Sequence, residues 1–316
     1  MSDHPASVPA FLRTTFRQCV FREMRRALDP RLLLFWLVAS MVPTLLVALP
    51  LASILSKVLD FSAYADALAQ SLDLDSLSAI GRAYQQSELA IQTNVTLAWM
   101  CALLIAPILT SMAAAIFATS EKIPSRTLIA NTLMDYGRWF WLHLTAFIVY
   151  LLGFGIAAIV AVSAEMRVEQ YVDANSYANT QTFSRMLALL IALMTHFFVE
   201  IARAEYVLDS NLRVPPVAFL RALARGKFLR RITGYLLVCG IGISLLLLFL
   251  LLRQQMGGAG LIAMLSTFVL AQCSVAALAW MRTARLFVLA ALVEQSAIGQ
   301  STIAMNASEK SYHSRT

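Results

Sequence analysis

Residues 232–281 read ITGYLLVCGIGISLLLLFLLLRQQMGGAGLIAMLSTFVLAQCSVAALAWM. Two apolar runs, 232–252 and 261–281, carry no charged side chain and are joined only by Arg253-Gln-Gln-Met-Gly-Gly-Ala-Gly260. At the helical rise of 1.5 Å per residue, about 20 residues cross the roughly 30 Å of bilayer hydrocarbon, so each run is long enough to span. The short polar, glycine-rich connection makes the two an antiparallel hairpin. A membrane β-barrel strand would alternate apolar and polar residues over about ten positions, and these runs do not alternate. A helix is the solution that satisfies its backbone hydrogen bonds within one segment in the absence of water.

Working outward with the same criterion, four further spans fall at 32–55, 95–119, 139–163 and 186–208. The whole chain agrees: 59% of its residues are hydrophobic, 14% are charged, and the mean hydropathy is +0.70. Soluble domains have roughly 45–50% apolar and about 25% charged residues, which excludes that class. The sequence therefore predicts an all-α fold, a polytopic transmembrane helical bundle of about six spans. Residues 1–31 are expected to form a basic cytoplasmic segment, 32–293 the membrane domain, and 294–316 a cytoplasmic tail that is disordered past 300. The first apolar run follows some thirty polar and basic residues and exceeds the usual 7–15 residues of a signal-peptide core, so it reads as a retained anchor.

Counting Arg203 at the end of span four, twenty of the 25 Lys and Arg residues fall before the first span, between spans two and three, between four and five, and after six. The opposite side holds only Lys57, Arg82, Arg167, Arg185 and Arg253. Loops retained in the cytoplasm carry such an excess, so both termini are expected there. The net charge of +7 is then explained by topology, and nucleic acid is not an expected partner. Cys19, Cys101, Cys239 and Cys273 are scattered, with no CxxC pair, and read as small apolar residues.

Three cytoplasmic segments each precede an outgoing span and suggest amphipathic helices lying on the membrane. The first places Phe11, Leu12, Thr15 and Cys19 on one face. The second places Leu128, Ile129, Thr132, Leu133, Tyr136 and Phe140 together, and the third Val217, Leu220, Ala224 and Phe228. Arg13, Arg17, Arg22, Arg25 and Arg26 of the first, with Arg221, Arg225, Lys227, Arg230 and Arg231 of the third, are expected to meet anionic lipid headgroups. The chain then divides into three units, each an interfacial helix followed by an out-and-in hairpin. In the outer loop, 56–94, Phe61, Tyr64, Ala65 and Leu68, then Leu74, Leu77, Ile80 and Tyr84, recur at helical spacing and predict two short helices.

Ionisable residues inside a span are costly and mark function by default. His196, Glu200 and Arg203 lie at i, i+4 and i+7 on one face of the fourth span. His143, near the start of the third, is placed to approach the same layer. One reading makes them a coupling site; the other makes them an interfacial ion pair and a bundle hydrogen bond. No HExxH, GxSxG or phosphate-binding loop occurs, and no metal or cofactor site is expected.

The basic N-terminal segment running into the first span and the amphipathic outer loop carry a resemblance, together with Glu200-Ile-Ala-Arg-Ala-Glu-Tyr-Val-Leu208 and the later Phe219-Leu-Arg-Ala-Leu-Ala-Arg-Gly226. On these residues the chain resembles uncharacterised six-span proteins of the bacterial inner membrane, and is similar to the membrane domain attached to some glycerophosphodiester phosphodiesterases. Such proteins often have adjacent glycines in the second span, where this chain has Ser111-Met-Ala-Ala-Ala115. The resemblance implies the membrane and the span number and brings no activity with it. The functional expectation is a non-enzymatic accessory, scaffold or assembly protein; the alternative is a small transporter or permease for a lipid-like or small solute.

Overall fold

A computed structural model describes residues 15–59, 74–119, 123–166, 174–209, 212, 214–224, 228–256 and 261–313. Among them are ten helices: α1 (Phe16–Arg26), α2 (Pro30–Leu59), α3 (Leu74–Gln86), α4 (Glu88–Ala118), α5 (Ser125–Met134), α6 (Tyr136–Glu165), α7 (Ala174–Leu208), α8 (Pro215–Ala224), α9 (Phe228–Gln255) and α10 (Leu261–His313). Six of them, α2, α4, α6, α7, α9 and α10, are long and apolar enough to cross a membrane. The protein is an all-α, multi-pass integral membrane protein. Pro43 and Pro50 lie inside α2 and Pro107 inside α4, where the helices continue through them.

Local sequence sets the helix starts. Thr15 and Gln18 form a reciprocal capping box that opens α1. Asp29 Oδ1 accepts from the Arg31 backbone N–H at 2.9 Å, and Pro30 occupies the first position of α2, where its missing N–H is harmless.

Three hairpins, α2–α4, α6–α7 and α9–α10, make the most extensive helix contacts. The returning helices α4, α7 and α10 also touch one another. The short helix that opens each unit docks on a returning helix of a neighbouring unit: α5 on α4, α8 on α7 and α1 on α10. The last contact joins the two ends of the chain and closes the three units into a ring. Trp280 of α10 seals it by donating its indole N–H to the Met24 carbonyl of α1 at 3.1 Å.

The core lies at the end of the bundle that carries α1, α5 and α8, called here the basic end. Every residue of α10 from Thr283 to Val293 is buried, so this stretch is enclosed on all sides. Around it pack Met112 and Ile116 of α4, Phe197 and Ile201 of α7, and Val238 of α9. Toward the opposite end the helices present large apolar side chains outward, among them Leu49, Leu152, Leu189 and Leu251.

Several sequence expectations are corrected. α1 is a core element: Cys19, Val20, Glu23 and Met24 are buried, and burial pushes the Cys19 thiol pKa up. Phe11, Leu12 and Arg13 lie outside the described residues. The expected second face is divided by a break at Asp135, which puts Tyr136 and Phe140 in α6; Leu128 and Thr132 turn inward while Ile129 and Leu133 are exposed. In α8 the inward residues are Ala218 and Ala222, whereas Leu220 is 65% exposed. Arg231 is 1% exposed and is no surface residue, because the first turns of α9 are packed against α10. The tail expected to be disordered past 300 is assigned helix, as α10 runs to His313; its Ser, Ala, Met, Glu and Lys residues are all compatible with a helix. Of the two outer-loop helices, α3 is present, and the 61–68 stretch lies outside the described residues, as do Arg225, Lys227 and Gly257 to Gly260.

Candidate functional site

The spacing of His196, Glu200 and Arg203 puts all three on the face of α7 that looks into the bundle. Glu200 is 3% exposed, and its Oε1 accepts from Arg203 NH1 at 2.7 Å. Isolating either charge of such a buried pair costs about 3–5 kcal/mol, so the two are interdependent. His196 makes no hydrogen bond to that pair and instead bridges two other helices. Arg285 of α10 donates to its Nε2 at 2.8 Å, and its Nδ1 lies 2.6 Å from Tyr150 Oη of α6. A guanidinium can only donate, so Nε2 must be the acceptor and the proton sits on Nδ1, from which it is donated to Tyr150 Oη. The Tyr150 hydroxyl keeps its own proton to donate elsewhere.

Arg285 also contacts α9, lying 5.8 Å from the Tyr235 ring centroid and 3.8 Å from Cys239 Sγ. One layer thus fastens α6, α7, α9 and α10 through a single chain of polar contacts. Arg282, one turn earlier on α10, reaches the other way and stacks its guanidinium 5.4 Å above the Trp36 ring of α2. His143 does not join the chain. Its Nδ1 donates to the Trp139 carbonyl at 2.9 Å and its Nε2 lies 3.3 Å from Thr110 Oγ1 of α4, within electrostatic range of Glu200 and Arg203 only.

Arg282, Arg285, Tyr150, Tyr235 and Trp36 are the members of the layer that the sequence reading missed. By sequence the two arginines fall in the segment after the sixth span, because they end its charge-free window. Their signal is the apolar run Leu286 to Val293 directly after them, which lengthens the span past both.

The arginines expected on the membrane surface have divided roles. Arg17 and Arg25 are exposed. Arg22 pairs with Glu23 at 2.8 Å. Arg26 donates to the Ile116 carbonyl at 2.8 Å and to that of Thr119, where the last carbonyls of α4 lack helical partners. Arg138 does the same for α7 at Tyr206, 2.7 Å, and Asp209, 2.6 Å. Arg230 donates to Gln295 Oε1 of α10 at 3.0 Å, and Arg221 pairs with Asp209 at 2.7 Å. In each unit, then, an arginine near the start of the outgoing helix binds the far part of its returning partner.

Where the returning helices meet α1, a cavity of about 580 Å³ opens at the basic end. Arg22, Glu23, Arg26 and Glu294 line it above a floor that includes Phe117, Val207 and Leu208. Among the described residues, no three His, Cys, Asp or Glu side chains converge as metal ligands. No protein-family model, curated protein or solved structure matches the chain.

Proposed function

We propose that the protein is a non-enzymatic accessory or scaffold protein of the bacterial inner membrane, with both termini in the cytoplasm. The observation that carries this reading is that, within the apolar spans, the ionisable groups lie only toward the basic end. Toward the opposite end, 33–56, 89–110, 144–164, 186–195, 232–252 and 261–281 contain no Asp, Glu, His, Lys or Arg. A proton- or ion-coupled carrier needs titratable or charged groups along its path, and here the polar groups instead bind one helix to another. The inner-membrane placement rests on the resemblance carried by the basic first segment and the Glu200 to Leu208 stretch. The cytoplasmic assignment rests on the distribution of Lys and Arg. Exposed Arg17 and Arg25 then face anionic headgroups.

The apolar surface of the opposite half supplies area for packing against another membrane protein. Affinity purification of the full chain from a mild detergent is expected to bring down such a partner in defined stoichiometry. Recovery of the chain alone, as a monodisperse monomer, would count heavily against the scaffold. If a Glu200→Gln variant lost a pH-dependent uptake that the native protein supports, the permease for a lipid-like or small solute would replace it.

A further inference from the structure

The polar layer has more donors than acceptors. Arg203, Arg282 and Arg285 share it with one carboxylate, Glu200, and all four lie within electrostatic range of one another. Arg203 Nε and Arg285 Nε are buried without a hydrogen-bond partner among the described residues, and the Tyr150 hydroxyl proton is uncommitted. Arg282 differs from the other two: it is exposed, and its guanidinium stacks over the Trp36 ring. An uncompensated guanidinium within a membrane span is stable only next to water or an anion.

The depth of this group narrows the choice of anion. Trp36 is six residues into α2, so at 1.5 Å per residue the layer lies roughly 9 Å from the helix start. The headgroup region occupies about 5–8 Å on each side of the hydrocarbon, and Trp is enriched at that boundary. A guanidinium presents paired N–H donors that match two oxygens of a phosphate, whereas its flat face remains stacked on the indole.

We propose that Arg282, held over Trp36 and reinforced by Arg285 and Arg203, anchors a binding site for a phosphate anion between α2 and α10. The phosphate is that of a lipid headgroup reaching in from the bilayer or a free ion entering from the basic end; the recognition chemistry is the same. The proposal does not rest on the scaffold reading, because a partner and a bound phosphate are detected by different measurements.

The test uses the full chain, purified and delipidated in a neutral detergent, with thermal unfolding followed as each probe is titrated. The probes are inorganic phosphate, a short-chain phosphatidylglycerol, and the matching uncharged diacylglycerol. A saturable upward shift with phosphatidylglycerol alone assigns the lipid headgroup; a shift with both phosphate-bearing probes assigns the free ion. Arg282→Gln is expected to weaken binding at least about tenfold, and Arg282→Lys, which keeps the charge without the paired donors, several-fold. Arg253→Gln, at the exposed far end of α9, is expected to bind as the native protein does. If neither phosphate probe gives a saturable shift, if the diacylglycerol matches them, or if Arg253→Gln weakens binding as much as Arg282→Gln, the site is overturned. Should Arg282→Gln fail to fold, Arg282→Lys decides, and native affinity in that variant overturns the site.

Discussion

Leu289 and Leu189 are the same side chain in two different surroundings. Leu289 lies in the fully enclosed stretch of α10 at the basic end and is 0% exposed; Leu189 lies toward the opposite end of α7 and is 70% exposed. In water the second would be an anomaly, but in a bilayer lipid tails solvate leucine as well as protein does, so burial of apolar area supplies no force to draw helices together. The basic end is held instead by close packing, by arginines on helix-end carbonyls and by buried hydrogen bonds. The opposite half has little of any of these. The protein is therefore two materials in one bundle: a jigsaw-packed end and a half whose apolar surface is left to other membrane components.

The sharpest way to break that contrast is to make the same cut on both sides. Leu289→Ala leaves a cavity inside a packed core and is expected to destabilise by about 2–5 kcal/mol. Leu189→Ala removes a side chain whose place lipid or detergent refills, and is expected within about 0.5 kcal/mol of the native protein. Denaturant unfolding in detergent micelles measures both, and equal losses would mean that the two halves are packed alike.

A smaller effect sharpens where the contrast begins. Gly153 of α6 lies where that helix approaches α7, and a Cβ there would come within 2.8 Å of Thr195 Cβ and 2.2 Å of its Oγ1. Gly155, two residues on, has nothing within 4 Å. Gly153→Ala is expected to cost about 1–3 kcal/mol through overpacking. Gly155→Ala is expected to be neutral or slightly stabilising, since alanine favours helix by up to about 1 kcal/mol. If Gly153→Ala is also harmless in thermal unfolding, the α6–α7 contact is loose and the packed region ends nearer the basic end.

What could be read in the sequence follows the same division. The hairpin at 232–281 and the other spans were legible because hydrocarbon thickness sets a length that any apolar run displays. The inward faces of the short helices were not. For α8 the apolar stripe suggested Leu220, yet Ala218 and Ala222 face the bundle and Leu220 faces out. Beside lipid, large apolar residues suit the outside and small ones permit close helix approach, which inverts the pattern expected in water. The site was half legible: the face of α7 and the Glu200–Arg203 pair follow from spacing, but His196 pairing with Arg285 joins residues on different helices. Only the packing of α10 against α7 brings them together, and no local pattern encodes it.

The smallest effect lies at the rim of the packed end, where water competes with the protein. Asp29 caps the start of α2 and accepts from Arg31 Nε at 3.1 Å and NH2 at 2.8 Å, while Arg31 NH1 reaches the Ile123 carbonyl at 2.6 Å. The side-chain hydrogen bond from Arg31 holds the Asp29 carboxyl pKa below its usual value of 3.8. A depressed carboxylate contributes stability that is present above the unfolded-state pKa and is lost as pH falls through the folded-state pKa. Acidification below about pH 4 should therefore remove a contribution of under about 1 kcal/mol, as expected for a partly solvated pair. Asp29→Asn should lower stability slightly at neutral pH and show a shallower loss between about pH 4 and 2 than the native protein. Superimposable acid limbs for the two proteins would place this ion pair outside the packed end, leaving α2 secured there by Leu32 and the Trp36 contact with Arg282.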